Sequence, residues 1–147
     1  MEIDIQAVMG CTCLKLRKAS RHITQIYDHA LSSSALTVNQ FGLLAWLYGA
    51  RQAGRPGLAI GVLGERLGTD PTTLNRTLKP LTDKSLVKLV TDPADARVRM
   101  AAITEKGRKT LAAAMPLWQA AQTKVESALG ADTRRALNAL LDQAAGT

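Results

Sequence analysis

Through residues 5–31 apolar positions Leu14, Leu16, Ile23, Ile26, Tyr27, Ala30 and Leu31 recur at helical spacing among Lys15, Arg17, Lys18 and Arg21, which predicts a first helix. A breaker-rich stretch, Ser32 to Leu36, ends it. Thr37 then offers an N-cap hydroxyl ahead of VNQFGLLAWLYGARQ, where Phe41, Leu44, Ala45 and Tyr48 repeat at intervals of three and four. Gly54, Pro56 and Gly57 stop this second helix. The segment IGVLGERLG predicts a short helix closed by Gly68, and TDPTTLNRTLKPLTDKSLV predicts another, capped by Thr69 or Asp70 with Pro71 in its first turn. Two short helices across a tight glycine turn make a helix-turn-helix pattern.

In the later of the two, Leu74, Leu78 and Leu81 form an inward stripe and leave Thr72, Thr73, Asn75, Arg76 and Lys79 outside. Short polar groups mixed with long basic ones are the chemistry that reaches base edges and phosphates in a major groove. The competing reading is the solvated face of an ordinary amphipathic helix. Pro80 removes the amide that would bond the Arg76 carbonyl and is expected to kink or loosen the helix there.

The period then changes from helical to alternating. Residues 86–91, LVKLVT, and 98–103, VRMAAI, predict two strands of a β-hairpin joined by Asp92 to Arg97. That connection is longer than a tight turn requires, and it carries Arg97 with Asp95 two positions away to hold it. Such a loop suits a wing aimed at a minor groove, with Arg99 on the return strand and Lys88 on the outgoing one. A charged edge hairpin that guards itself against aggregation is the alternative. Thr104 caps the next helix, which runs through TLAAAMPLWQAAQTKVESAL with a kink expected at Pro116, and ADTRRALNALLDQAA follows Gly130 as the last. Leu111, Met115, Trp118, Val125, Leu129, Leu137, Leu140 and Leu141 on these two helices find no partner in a chain whose other helices are already used. Burial against a second subunit is expected, and an intrachain antiparallel hairpin is the alternative.

Composition sharpens this picture. A chain of 147 residues suits one domain, and with aromatics at 3% against 46% hydrophobic residues, the core has to be built from Leu, Ala, Val and Ile. The net charge of +7 directs attention to a polyanionic partner. No run of about 18 apolar residues exists to span a membrane, and MEIDIQAVMG lacks the basic start and long apolar run of a secretory signal. Cys11 and Cys13 lie too close together for a disulfide framework, so a cytoplasmic protein is expected. His22 and His29 have no cluster of acids or cysteines at metal-ligand spacing, and no phosphate-cradling glycine loop is present. Neither a cofactor nor a catalytic activity is expected.

A helix-turn-helix followed directly by a charged hairpin in a basic chain is far more specific than either piece. The wing DPADARVRMAAITEKGRKTL, with its D-x-R tip and T-x-x-G helix start, and the preceding TTLNRTLKPLTDKSLV resemble the MarR family of bacterial transcriptional regulators. The similarity of organisation covers nearly the whole chain. It implies a mainly α fold with a small β-hairpin, a winged helix-turn-helix with N- and C-terminal dimerisation helices. The boundaries expected are a single domain over 1–147, a DNA-binding lobe at 37–104, and dimerisation helices at 5–31 and 105–145. It further implies a homodimer on a pseudo-palindromic double-stranded operator, and a repressor released by a small, often aromatic, effector. Arg21, His22, Tyr27, Trp46 and Tyr48 are the residues here that could line the effector's pocket; they are also ordinary core and surface types.

CTCLKLRKASRHITQIYD, residues 11–28, resembles the first helix of the organic-hydroperoxide-sensing branch of that family. Cys13 falls where that branch places its reactive cysteine, and Tyr27 matches one of the tyrosines that hydrogen-bond the thiolate. Lys15, Arg17 and Arg21 favour the thiolate form. The match is incomplete: the second tyrosine would fall at Val38, a hydroxyl-bearing position is Arg17, and Cys11 stands two positions away on a different helical face. The preferred expectation for Cys13 is a small buried hydrophobe. The alternatives to a ligand-released repressor are thus a thiol-based peroxide sensor using Cys13 and an effector-independent architectural DNA-binding protein.

Overall fold

The computed structural model describes residues 2–146. They form helices α1 (Ile5–Met9), α2 (Thr12–Leu31), α3 (Val38–Gln52), α4 (Ile60–Leu67), α5 (Pro71–Asp83), α6 (Glu105–Leu129) and α7 (Ala131–Ala145), with strands β1 (Leu58–Ala59), β2 (Val87–Thr91) and β3 (Arg99–Ile103). One compact unit comprises Leu31–Pro116; the other comprises the residues before it and those from Leu117 onward.

In the Leu31–Pro116 unit the local signals act as the sequence requires. Thr37 caps α3 through a capping box, accepting the Gln40 amide at 3.2 Å while the Gln40 side chain accepts the Thr37 amide at 3.1 Å. Gly68 closes α4 in the left-handed region at φ 60°, where a side chain would be strained. Asp70 rather than Thr69 caps α5, and Pro71 takes its first position. The helix runs past Pro80 to Asp83, so the proline does not end it. The strands pair antiparallel in the order β1-β3-β2, with Val87 opposite Ile103 and Thr91 opposite Arg99. Each hairpin strand begins one residue later than expected, and β1, which pairs Leu58 with Ala101, turns the hairpin into a three-stranded sheet. A two-residue strand has no periodicity of its own to read.

The core is aliphatic. Leu43, Leu44, Leu47, Leu63, Leu74, Leu81 and Ala101 are buried almost completely, and among the described residues Phe41 is the single buried aromatic. Ala45, expected on the inward face of α3, is exposed, whereas Leu43 and Leu47 are inside. Thr104 fastens the hairpin to α6. Its hydroxyl donates to the Ser85 carbonyl at 2.7 Å and accepts the Gly107 amide at 3.0 Å, and its own amide donates to the Leu86 carbonyl at 3.1 Å. Gly107 lies so close to that carbonyl that a Cβ would sit 2.1 Å from its oxygen.

The other unit is helical. The first helix expected over 5–31 is two helices, because Gly10 closes α1 and the chain restarts at Thr12. Tyr27 donates its hydroxyl to Gln122 at 2.5 Å; burial raises the phenol's pKa, and Arg134 pulls it the other way. Arg134 also lies 3.6 Å from Glu126. Two of the apolar positions predicted to need a second subunit, Leu111 and Val125, are in fact buried within the chain. Leu129, Leu137, Leu140 and Leu141 remain exposed, as do Ile5, Val8, Met9 and Leu14.

Candidate nucleic-acid interface

The exposed face of α5 is organised from its N-terminus. The Asp70 carboxylate accepts the Thr73 amide at 3.0 Å and the Thr73 hydroxyl at 2.6 Å, and these bonds hold its pKa below the usual value. With Leu74, Leu78 and Leu81 buried, Thr72, Thr73, Asn75, Arg76 and Lys79 all face outward, as their spacing predicts. They are not equally available. Thr73 is engaged by Asp70, and the Lys79 ammonium pairs with Asp83 at 2.8 Å, whereas no side-chain partner within the described residues occupies Thr72, Asn75 or Arg76.

The wing tip is a tightly bonded loop. The Asp92 and Val98 backbones meet at 3.0 Å, and the Asp92 carboxylate accepts the Ala94 amide at 2.8 Å. Asp95 accepts three hydrogen bonds from Arg97: its backbone amide at 3.0 Å, Nε at 3.1 Å and Nη2 at 3.2 Å. The Arg97 side chain, before its backbone amide, keeps the Asp95 carboxyl below its ordinary pKa. The Arg97 side chain is nonetheless 90% exposed. Asn75 and Leu78 of α5 share a hollow of about 380 Å³ with Leu89, Arg97 and Arg99, which brings the helix and the wing to one surface.

Lys88 does not join them. It stands opposite Ala102 in the sheet, and adjacent strand residues point to opposite faces, so Lys88 lies on the face away from Leu89 and Arg99. There it lines a second hollow with Arg51, Arg55 and Glu105. The expectation of a phosphate contact read Lys88 as part of a charged hairpin, without the face that register assigns it. Arg51 and Arg55 were missed because they sit in ARQAGRPG, a stretch read only as a helix stop; its density of arginine was the available signal.

The remaining predicted site residues disperse. Trp46, 41% exposed, carries the Arg66 guanidinium 4.6 Å from its ring centroid. Tyr48 hydrogen-bonds Gln52, and standing two positions from Trp46 on one helix it faces a different direction. Arg21 borders a shallow surface hollow with Leu16, Arg17, Lys18 and Ser20, and His22 is exposed. Cys13, expected as a buried hydrophobe, is exposed near the start of α2, and Cys11 is half-buried before that helix rather than on one of its faces. No group of three or more His, Cys, Asp or Glu among the described residues is placed to hold a metal, and no helix among them is long and apolar enough to cross a membrane.

Residues 36–98 match the family model described as MarR family. No curated protein matches the chain by sequence. Among solved structures, the transcriptional regulator MosR of M. tuberculosis in complex with DNA is 36% identical over 92% of this chain and 96% of its own, with a TM-score of 0.76. The transcriptional repressor CouR bound to a DNA duplex is 25% identical over 99% of both chains, with a TM-score of 0.79. A mutant E. coli MarR complexed with operator DNA shares the fold at 21% identity and a TM-score of 0.80, over 97% of this chain and 99% of its own. With the expected winged helix-turn-helix present and a relative of this identity matched over nearly its full length, the chain belongs to the MarR family of transcriptional regulators.

Proposed function

We propose that the protein is a homodimeric, sequence-specific repressor that binds a pseudo-palindromic duplex in the cytoplasm, has no catalytic activity, and is released by a small ligand. The observation that carries this reading is the single surface shared by Asn75 of α5 and Arg97 and Arg99 of the wing. Thr72, Thr73, Asn75 and Arg76 are assigned to base edges in a major groove, Lys79 to a phosphate, and Arg97 to a minor groove with Asp95 fixing its direction. The exposed apolar side chains of α1 and α7, neither of which has a buried residue, support self-association. MosR, CouR and MarR were each solved on DNA, and CouR was also solved with p-coumaroyl-CoA, which supports release by a ligand.

Fluorescence anisotropy tests this on a labelled duplex from upstream of the protein's own gene against a random duplex of equal length. Tight binding to the first, with a shallower salt dependence than on the second, is expected. Equal affinity and equal salt slope on both would make the protein an architectural binder instead.

The exposure of Cys13 favours a second reading of the release step. Its thiolate would attack an organic hydroperoxide, taking the terminal oxygen to form a sulfenic acid while the O–O bond breaks and an alcohol leaves. Stoichiometric hydroperoxide should then release operator from wild type and not from Cys13→Ser. Binding indifferent to peroxide in both proteins would exclude the thiol sensor and keep the small ligand.

A further inference from the structure

Trp46, Gly49 and Ala53 follow one another at spacings of three and four along one face of α3 and its C-cap, Val62 and Arg66 share one face of α4, and all are exposed. The Arg66 guanidinium, 4.6 Å from the centre of the Trp46 ring, joins the two faces. Because Gly49 has no side chain, and a Cβ there would meet nothing within 4 Å, a hollow of about 280 Å³ opens beside the indole, bordered by Ala53, Arg55, Leu58 and Arg66. We propose that this surface docks an acidic segment of a partner protein, whose carboxylates meet Arg55 and Arg66 while one of its apolar side chains lies against Trp46 in the hollow.

The charge on the rim is unopposed. Among the described residues no acid borders the hollow, and neither Arg55 nor Arg66 has a carboxylate partner. Glu65, the acid next to Arg66 in sequence, lines a different hollow with Gly61, Pro71 and Leu74. A guanidinium stacked on an indole keeps its N–H edge free, and that edge is what a carboxylate takes in a fork. Trp46 and Val62 are exposed apolar groups of the kind a partner protein covers, and a tryptophan beside a hollow is a typical anchor. Duplex DNA fits less well, because its phosphates would engage the arginines and leave Trp46 in water. Val62 and Arg66 also flank Gly64 by two positions, and at about 3.6 residues per turn they stand nearly opposite this glycine, which lies against Leu74 of α5. The surface is thus turned away from the helix assigned to the major groove.

This surface stands whether or not the protein represses transcription, and its test needs no operator. Uniformly ¹⁵N-labelled full-length protein would be titrated with the acetylated peptides EELFEE, EEAAEE and KKLFKK and with a random duplex, and the indole Nε1–H of Trp46 followed by NMR; Trp118, the other tryptophan of the chain, is the internal reference. A saturable EELFEE shift centred on Trp46 is expected, with Trp118 unmoved, no response to KKLFKK, and binding of EEAAEE weaker by about fivefold or more for want of the apolar side chains. In Arg55→Ala/Arg66→Ala, two exposed side chains outside the core, EELFEE affinity should fall by about tenfold or more while the rest of the spectrum is unchanged. An absent shift, shifts centred elsewhere, or an affinity unchanged in the double variant would overturn the surface. EEAAEE binding as tightly as EELFEE would reduce it to a plain cationic patch, which also rejects the proposal. Duplex moving the Trp46 signal where EELFEE does not would make it a DNA contact, and a signal that moves with protein concentration alone would give the surface to a second copy of the chain; either result rejects the acidic partner.

Discussion

The carboxylate of Asp95 holds Arg97 from three sides, receiving its backbone amide, Nε and Nη2 between 3.0 and 3.2 Å. The pair orders the wing tip and leaves the guanidinium on a fixed bearing. Arg97→Ala should therefore weaken operator binding by about tenfold, the loss of one charge-assisted contact, without dissociating the dimer. Asp95→Ala, which removes the anchor and keeps the arginine, should weaken it in the same direction through disorder of the tip. If both titrate like wild type, the wing has no part in binding.

On α5 the availability of side chains separates two kinds of loss. Arg76→Ala should cost about 1 to 3 kcal/mol on the operator and relax preference at one base pair. Lys79→Ala should weaken binding on all duplexes alike and lower the salt slope by about one, as a phosphate contact does. A panel of single-base operator variants decides: an equal loss for Arg76→Ala on every duplex reassigns it to the backbone.

The acid side of the pH profile follows from Asp70 and Asp95. Both carboxyls are depressed from an ordinary 3.8, by Thr73 and by Arg97 respectively. A depressed pKa means that the folded state prefers the ionised form, so each contribution is complete above 3.8 and disappears as the pH falls through the lower, folded value. Following the Thr73 and Arg97 amides by NMR should give transitions below pH 3.8 and none between pH 5 and 8. Asp70→Asn should abolish the Thr73 transition and leave that of Arg97.

Two glycines in helices predict opposite responses to the same methyl group. At Gly107 a Cβ would lie 2.1 Å from the Leu86 carbonyl oxygen, and at Gly49 nothing approaches within 4 Å. Gly49→Ala should stabilise by roughly 0.5 to 1 kcal/mol, the usual gain of alanine in a helix interior. Gly107→Ala should destabilise by roughly 1 to 3 kcal/mol as backbone is forced apart. Urea unfolding of both variants measures the contrast, and a stable Gly107→Ala would show that the contact between α6 and the wing's base yields easily.

What was legible in the sequence was what neighbours along the chain decide. Thr37 and Gly68 act within a few residues of where they stand, as Thr104 does in accepting the Gly107 amide, and the stripe of Leu74, Leu78 and Leu81 repeats within one helix. What was not legible depends on pairing across the fold. The face occupied by Lys88 follows from its register with Ala102, and the hollow it shares with Arg51 and Arg55 joins residues more than thirty positions apart. The burial of Leu111 and Val125 and the exposure of Cys13 are likewise set by what packs around them. Gly10 is a local signal, masked by the apolar pattern that continues on either side of it.

Because Thr104 and Gly107 join the foot of the hairpin to the first turn of α6, the wing cannot swing independently of that turn. It is a pointer with its pivot at one end. Five residues of strand extend about 17 Å, so a tilt of about 10° at the pivot would carry the guanidinium of Arg97 sideways by about 3 Å, the whole length of a hydrogen bond. An angular change of that size at the foot of the hairpin would be enough to take this arginine out of a groove.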